Sequence, residues 1–125
     1  MHYIDTPNAP KAVGPYSQAI LINNVLYASG QIAINPDTQE MSTGDVIEQT
    51  EQIVKNISAV LKEAGLGFEH IVKTTCFLAD MSDFAAFNSV YEKHFISKPA
   101  RSCVAAKELP KKALAEIEVI AIKPQ

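Results

Sequence analysis

The chain has 125 residues, of which 47% are apolar and 20% charged, and its net charge is −3. That length buries one real core but not two, so a single domain over residues 1–125 is expected. The acidic balance argues against a nucleic-acid partner held by a basic surface, and no apolar run approaches the roughly 20 residues that cross a bilayer.

In chain order, Met1-His2-Tyr3-Ile4-Asp5 has neither the basic nor the apolar part of a secretory signal. A cytoplasmic protein whose Cys76 and Cys103 stay as thiols is therefore expected. The first dozen residues show no pattern and are expected to be loosely held. Residues 17–22 and 25–29 read as strands flanking Asn23-Asn24, a pair that tolerates the positive φ of a two-residue hairpin. Asn35-Pro36-Asp37-Thr38 is a turn. Asp45 with Glu48 resembles a capping box, and behind it Ile53, Val54, Ile57, Val60, Leu61 and Ala64 recur at helical spacing until Gly65 and Gly67.

Residues 71–78, with Thr74, Thr75 and Phe77, are a strand pattern. Asp80 or Ser82 caps a second helix, whose Phe84, Phe87, Tyr91 and Phe95 make an apolar stripe read as core rather than cofactor box. Asn88 is assigned to the helix side opposite these aromatics. Two more strands, about 101–106 and 114–122, are joined through Leu109-Pro110-Lys111-Lys112. The order β-β-α-β-α-β-β predicts an α+β fold, a mixed β-sheet with two helices packed on one face. In the last strand, alternation puts Ala115, Ile117, Val119 and Ala121 on one side, and Leu114, Glu116, Glu118, Ile120 and Ile122 on the other. Both sides are largely apolar, which points to self-association through the sheet face that the helices leave open.

Arg101 is the only arginine, set among ten lysines and preceded by Pro99-Ala100. A guanidinium grips a carboxylate or phosphate through two parallel hydrogen bonds, which lysine cannot copy. Arg101 therefore reads either as a clamp for a small anion or as a structural ion pair with Glu108, Glu116 or Glu118. His2, His70 and His94 are scattered, the two cysteines make no zinc pattern, and no glycine-rich phosphate loop is present. No metal and no organic cofactor is expected.

Five segments occur in the order seen in one family: Gly14-Pro15-Tyr16-Ser17-Gln18-Ala19, Ala28-Ser29-Gly30-Gln31-Ile32, Lys73-Thr74-Thr75-Cys76-Phe77-Leu78, Phe84-Ala85-Ala86-Phe87-Asn88 and Pro99-Ala100-Arg101-Ser102-Cys103-Val104. From about Ala9 to Ile122 the chain resembles the RidA (YjgF) family, most closely its imine/enamine deaminase subgroup. The resemblance implies a chorismate-mutase-like fold, a homotrimer with active sites between subunits, and hydrolysis of 2-imino and enamine acids to 2-oxo acids and ammonia. Arg101 would hold the substrate carboxylate. Glu116 would move the proton; Glu118 shares its face and remains the alternative, because Ala115 stands where the family tends to have a branched aliphatic.

The resemblance also implies that the backbone of Cys103, not its sulfur, meets the ligand nitrogen, and that Tyr16, Ser29 and Asn88 lie at the cleft. Tyr16 reads equally as interface packing, and Ser29-Gly30 as either a close ligand approach or a strand bulge. Two other classes compete. One is a regulatory module that binds small carboxylates without turnover; the other is an RNA-directed ribonuclease or translation inhibitor, which the acidic charge and single arginine disfavour.

Overall fold

Asn23 and Asn24 adopt φ of 49° and 67°, and their turn folds β2 (Ala19–Ile22) back onto β3 (Val25–Ala28). The structure, a computed structural model, describes residues 1–124. Its main sheet has six strands in the order β1-β2-β3-β8-β6-β7, where β1 is His2–Ile4, β6 Ile71–Leu78, β7 Ala100–Ala105 and β8 Ala115–Ile122. All neighbours are antiparallel except β6 and β7, whose connection carries the second helix. A small hairpin, β4 (Ile34–Asn35) with β5 (Glu40–Met41), turns at the proline segment, where Gln39 takes a φ of 61°. The α+β arrangement is as expected, with β1 and this hairpin added to the predicted order.

The first helix, α1 (Val46–Glu63), starts where Asp45 accepts a hydrogen bond from the Glu48 amide at 2.9 Å, a cap that contributes about 1 kcal/mol. It stops at Gly65, whose φ of +76° is the left-handed turn glycine allows. Ile53, Ile57, Val60 and Leu61 are buried beneath it, each contributing about 1.5–3 kcal/mol. Two polar side chains of α1 tie down the segments beside the sheet. Asn56 donates to the carbonyls of Ile32 and Ile34, at 3.2 and 2.9 Å, and Gln49 accepts from the Leu114 amide at 2.9 Å just before β8. The second helix, α2 (Phe84–His94), follows a short 3-10 turn capped by Asp80, which accepts from the Ser82 amide at 2.8 Å.

Both helices cover one face of the sheet, where Leu26, Cys76, Leu78, Ile117 and Val119 are buried. The other face is open and carries Tyr27, Val104 and Ile122, all exposed. Among the described residues no helix is long and apolar enough to cross a membrane.

The N-terminal dozen departs from expectation. It is pinned, not loose: β1 pairs with β2, and Ile4, Thr6, Ala9 and Pro10 are buried. The cause is Gln18, itself buried. Its amide oxygen accepts from the Thr6 amide at 2.8 Å, while its nitrogen donates to the Thr6 and Pro10 carbonyls at 3.0 and 2.9 Å. One glutamine thus satisfies a backbone segment that has no strand partner of its own.

Candidate active site

Strand alternation turns Glu116 away from the helices, between the buried Ala115 and Ile117. Gln31 and Ile117 exchange two backbone hydrogen bonds of 2.8 and 3.1 Å, which draws the Ser29-Gly30 corner across the Glu116 side chain. A Cβ on Gly30 would lie 2.9 Å from the Glu116 carboxyl carbon, so a side chain here would push the Glu116 carboxyl out of its present position. In this chain the group that lies closest to Gly30 is the Glu116 carboxyl. Ser29 closes the corner. Its hydroxyl donates to the Ser17 carbonyl at 2.6 Å and its amide to the Gln18 carbonyl at 3.0 Å, so both of these donors are engaged.

These groups line a cavity of about 340 Å³ together with Tyr16, Gln31, Ile32 and two lysines, Lys11 and Lys111. Tyr16 lies at its mouth, 54% exposed. Burial raises the Glu116 carboxyl above its ordinary 4.5, and the negative charge of Glu118 adds to the effect. A carboxyl that keeps its proton closer to neutrality is suited to proton transfer. Glu118 is exposed, and with Tyr27, Lys73 and Thr75 it lines a separate hollow of about 250 Å³.

Arg101 projects from β7 toward α2. One Nη donates to Asn88 Oδ1 at 2.7 Å, and the guanidinium carbon lies 4.6 Å from the Tyr91 ring centre and 5.4 Å from that of Phe84. The ion-pair reading fails. Among the described residues the one close contact between a basic side chain and a carboxylate is His94 Nε2 with Glu51 Oε1, at 3.0 Å, and no glutamate reaches Arg101. Asn88 also departs from its assignment. Four residues after Phe84 and three before Tyr91, it shares their side of the helix. The aromatic stripe is therefore only partly core. Phe87 and Phe95 are buried, whereas Phe84 and Tyr91 also face the guanidinium.

Arg101 and Glu116 sit on opposite faces of the sheet. Arg101 is the register partner of Thr74, and Thr74 of Val119, all on the helix side. Glu116 is the partner of Phe77, one residue out of phase, and so points to the open side. Within one chain, Arg101 and Asn88 line a different hollow, of about 280 Å³, from the one lined by Tyr16, Ser29, Gly30 and Glu116.

Cys103 lies beside Cys76 on the helix side of β7 and β6. Burial pushes both thiols up, Cys76 to about 12, and the nearby Arg101 offsets this only in part for Cys103. Neither thiol has an activating base. Cys103→Ala is accordingly expected to keep kcat/KM within roughly threefold, measured on folded protein; a loss of several orders of magnitude would assign the sulfur a covalent role. The backbone of Cys103 is better placed for contact, because β7 is an edge strand with one side unpaired in this chain. Among the described residues, no group of three His, Cys, Asp or Glu is placed to hold a metal ion.

Sequence reasoning did not find Lys11, Lys111 or Tyr91. Lys11 arrives on a loop and Lys111 in the short 3-10 turn Pro110–Lys112, neither with a local signal, whereas the spacing of Tyr91 from Asn88 was visible.

The profile of the endoribonuclease L-PSP family matches residues 6–123. A human 2-iminobutanoate/2-iminopropanoate deaminase is 44% identical over 121 residues, covering 96% of this chain and 88% of that protein. A Lactococcus lactis protein named as a regulator, AldR, is 54% identical over 123 residues, covering 97% of each. Among solved structures, a Rid-family protein from Yersinia pestis superposes with a TM-score of 0.94 at 51% identity, covering 97% of this chain and 98% of that one.

Proposed function

Because this chain belongs to the endoribonuclease L-PSP (YjgF/RidA) family, whose relatives include imine deaminases, we propose that it hydrolyses 2-imino acids to 2-oxo acids and ammonia. The substrates are 2-iminobutanoate and 2-iminopropanoate, the latter also reached from its enamine tautomer 2-aminoacrylate. The observation that carries this reading is Arg101, a half-buried guanidinium with no carboxylate partner among the described residues. Asn88 occupies one of its five N–H donors, so an incoming carboxylate finds a pair still free.

The chemistry follows from the groups present. The carboxylate of the imino acid binds Arg101, and the protonated imine carbon is attacked by water. Ionised Glu116 takes the water proton as the C–O bond forms, giving a tetrahedral carbinolamine, and returns a proton to nitrogen. The C–N bond then breaks as Glu116 takes the hydroxyl proton and the 2-oxo acid forms, and the released ammonia carries that proton away as ammonium. Raised basicity of the carboxylate favours the first transfer. Since Arg101 and Glu116 face opposite ways, one substrate meets both only where two chains adjoin, and the open apolar sheet face supplies a surface for such packing. We take the assembly to be a cytoplasmic homotrimer.

Names within the family range from deaminase to regulator, so turnover decides. Threonine with threonine dehydratase generates 2-iminobutanoate, and adding this protein is expected to speed the appearance of 2-oxobutanoate and ammonia at least about tenfold over spontaneous hydrolysis. A carboxylate-binding regulator would bind 2-oxobutanoate and leave that rate unchanged.

A further inference from the structure

Tyr91 stands at the middle of a column that ends on the candidate clamp. Its ring stacks on Phe95, with centres 4.1 Å apart and planes 9° from parallel, and Phe95 meets Phe68 edge-on at 5.3 Å. On the other side lies the Arg101 guanidinium, 4.6 Å from the Tyr91 ring centre. The Tyr91 hydroxyl is tied to the Thr74 hydroxyl at 2.8 Å, and Thr74 is fully buried beside Arg101 in the strand register. The ring is thus held at its face by Phe95 and at its tip by Thr74. Phe84 adds a second aromatic neighbour to the guanidinium.

We propose that Tyr91, held by Thr74, is a positioning residue that fixes the plane of the Arg101 guanidinium and so the direction in which the substrate carboxylate is gripped. A planar fork gains its second hydrogen bond only when its plane matches that of the carboxylate. Asn88 sets the rotation of the fork within its plane through one Nη, and the Tyr91 ring restricts the tilt of the plane itself. This inference rests on the deaminase reading above, since it concerns how that substrate is held.

The test is a double-mutant cycle in the dehydratase-coupled assay, with melting temperatures on the same proteins. Tyr91→Leu is expected to lower kcat/KM about tenfold, mainly through KM, and Tyr91→Phe, which keeps the ring but loses its tie to Thr74, to lower it only about threefold, as Thr74→Val does. In an Arg101→Lys background, Tyr91→Leu should cost less than about twofold further, because an ammonium has no plane to set. Thr74→Val removes only the hydroxyl that holds the ring and serves if the leucine variant does not fold. It should raise KM about threefold with kcat nearly unchanged. Equal losses from Tyr91→Leu in both backgrounds, or an unchanged KM in Thr74→Val, would make Tyr91 ordinary core and overturn the inference alone. No turnover by the wild-type protein would overturn the deaminase reading and this inference with it.

Discussion

Replacing Arg101 by lysine is expected to lower kcat/KM roughly ten- to a hundred-fold, nearly as far as alanine does, with little change in melting temperature. The expectation comes from what surrounds the side chain. Asn88 and two aromatic rings orient a flat cation, and no carboxylate among the described residues shares its charge. Lysine keeps the charge but offers a compact, rotating ammonium in place of two parallel donors. A charge-assisted hydrogen bond contributes on the order of 1.5–3 kcal/mol, so losing one of a pair gives that range of rate. A purely structural arginine would behave in the opposite way, with near-normal turnover in the lysine variant and a lowered melting temperature.

Glu116→Gln should remove turnover by about a hundred- to ten-thousand-fold, the usual effect of losing a general acid–base group, while leaving the fold at least as stable at neutral pH. The sign follows from the raised carboxyl. Below its ordinary value near 4.5, Glu116 is protonated in the folded and unfolded chains alike and costs nothing. As pH rises past that value, the unfolded chain ionises more readily than the folded one, so wild-type stability falls until the raised folded value is passed. Glutamine has no charge to desolvate and escapes this loss. Melting temperatures across that range should therefore favour the variant increasingly as pH rises. The wild-type kcat/KM should fall on the acid side at a pH above that of a free glutamate. A variant that is inactive and also less stable at neutral pH would point to a structural role for the carboxyl.

Much of the fold was legible because its signals are local. The Asn23-Asn24 hairpin, the Asp45 cap with the stop at Gly65, and the β-branched run of β6 each state their own conformation. The pinned N-terminus was not legible, because its order comes from Gln18, a single buried amide reaching twelve residues back. Within the site, residue type singled out Arg101, and the family resemblance added Glu116, Tyr16, Ser29, Gly30, Asn88 and Cys103. Their grouping was hidden. Alternation within β8 could be counted along the chain, but that Arg101 faces the other way depends on β6 lying between β7 and β8 in a particular register. The role of Gly30 was equally invisible, since it depends on the Gln31–Ile117 bridge that lays the corner over Glu116.

That opposed arrangement is the centre of the account, and mixing two inactive variants tests it most directly. In the proposed homotrimer, Arg101→Ala and Glu116→Gln, unfolded together in equal amounts and refolded, would give mixed trimers in which one junction joins an intact Arg101 to an intact Glu116. About three-quarters of the trimers are mixed and each has one working site in three, so turnover should return to about a quarter of the wild-type rate. A mixture that stays at the sum of the two separately refolded variants would contradict the shared site.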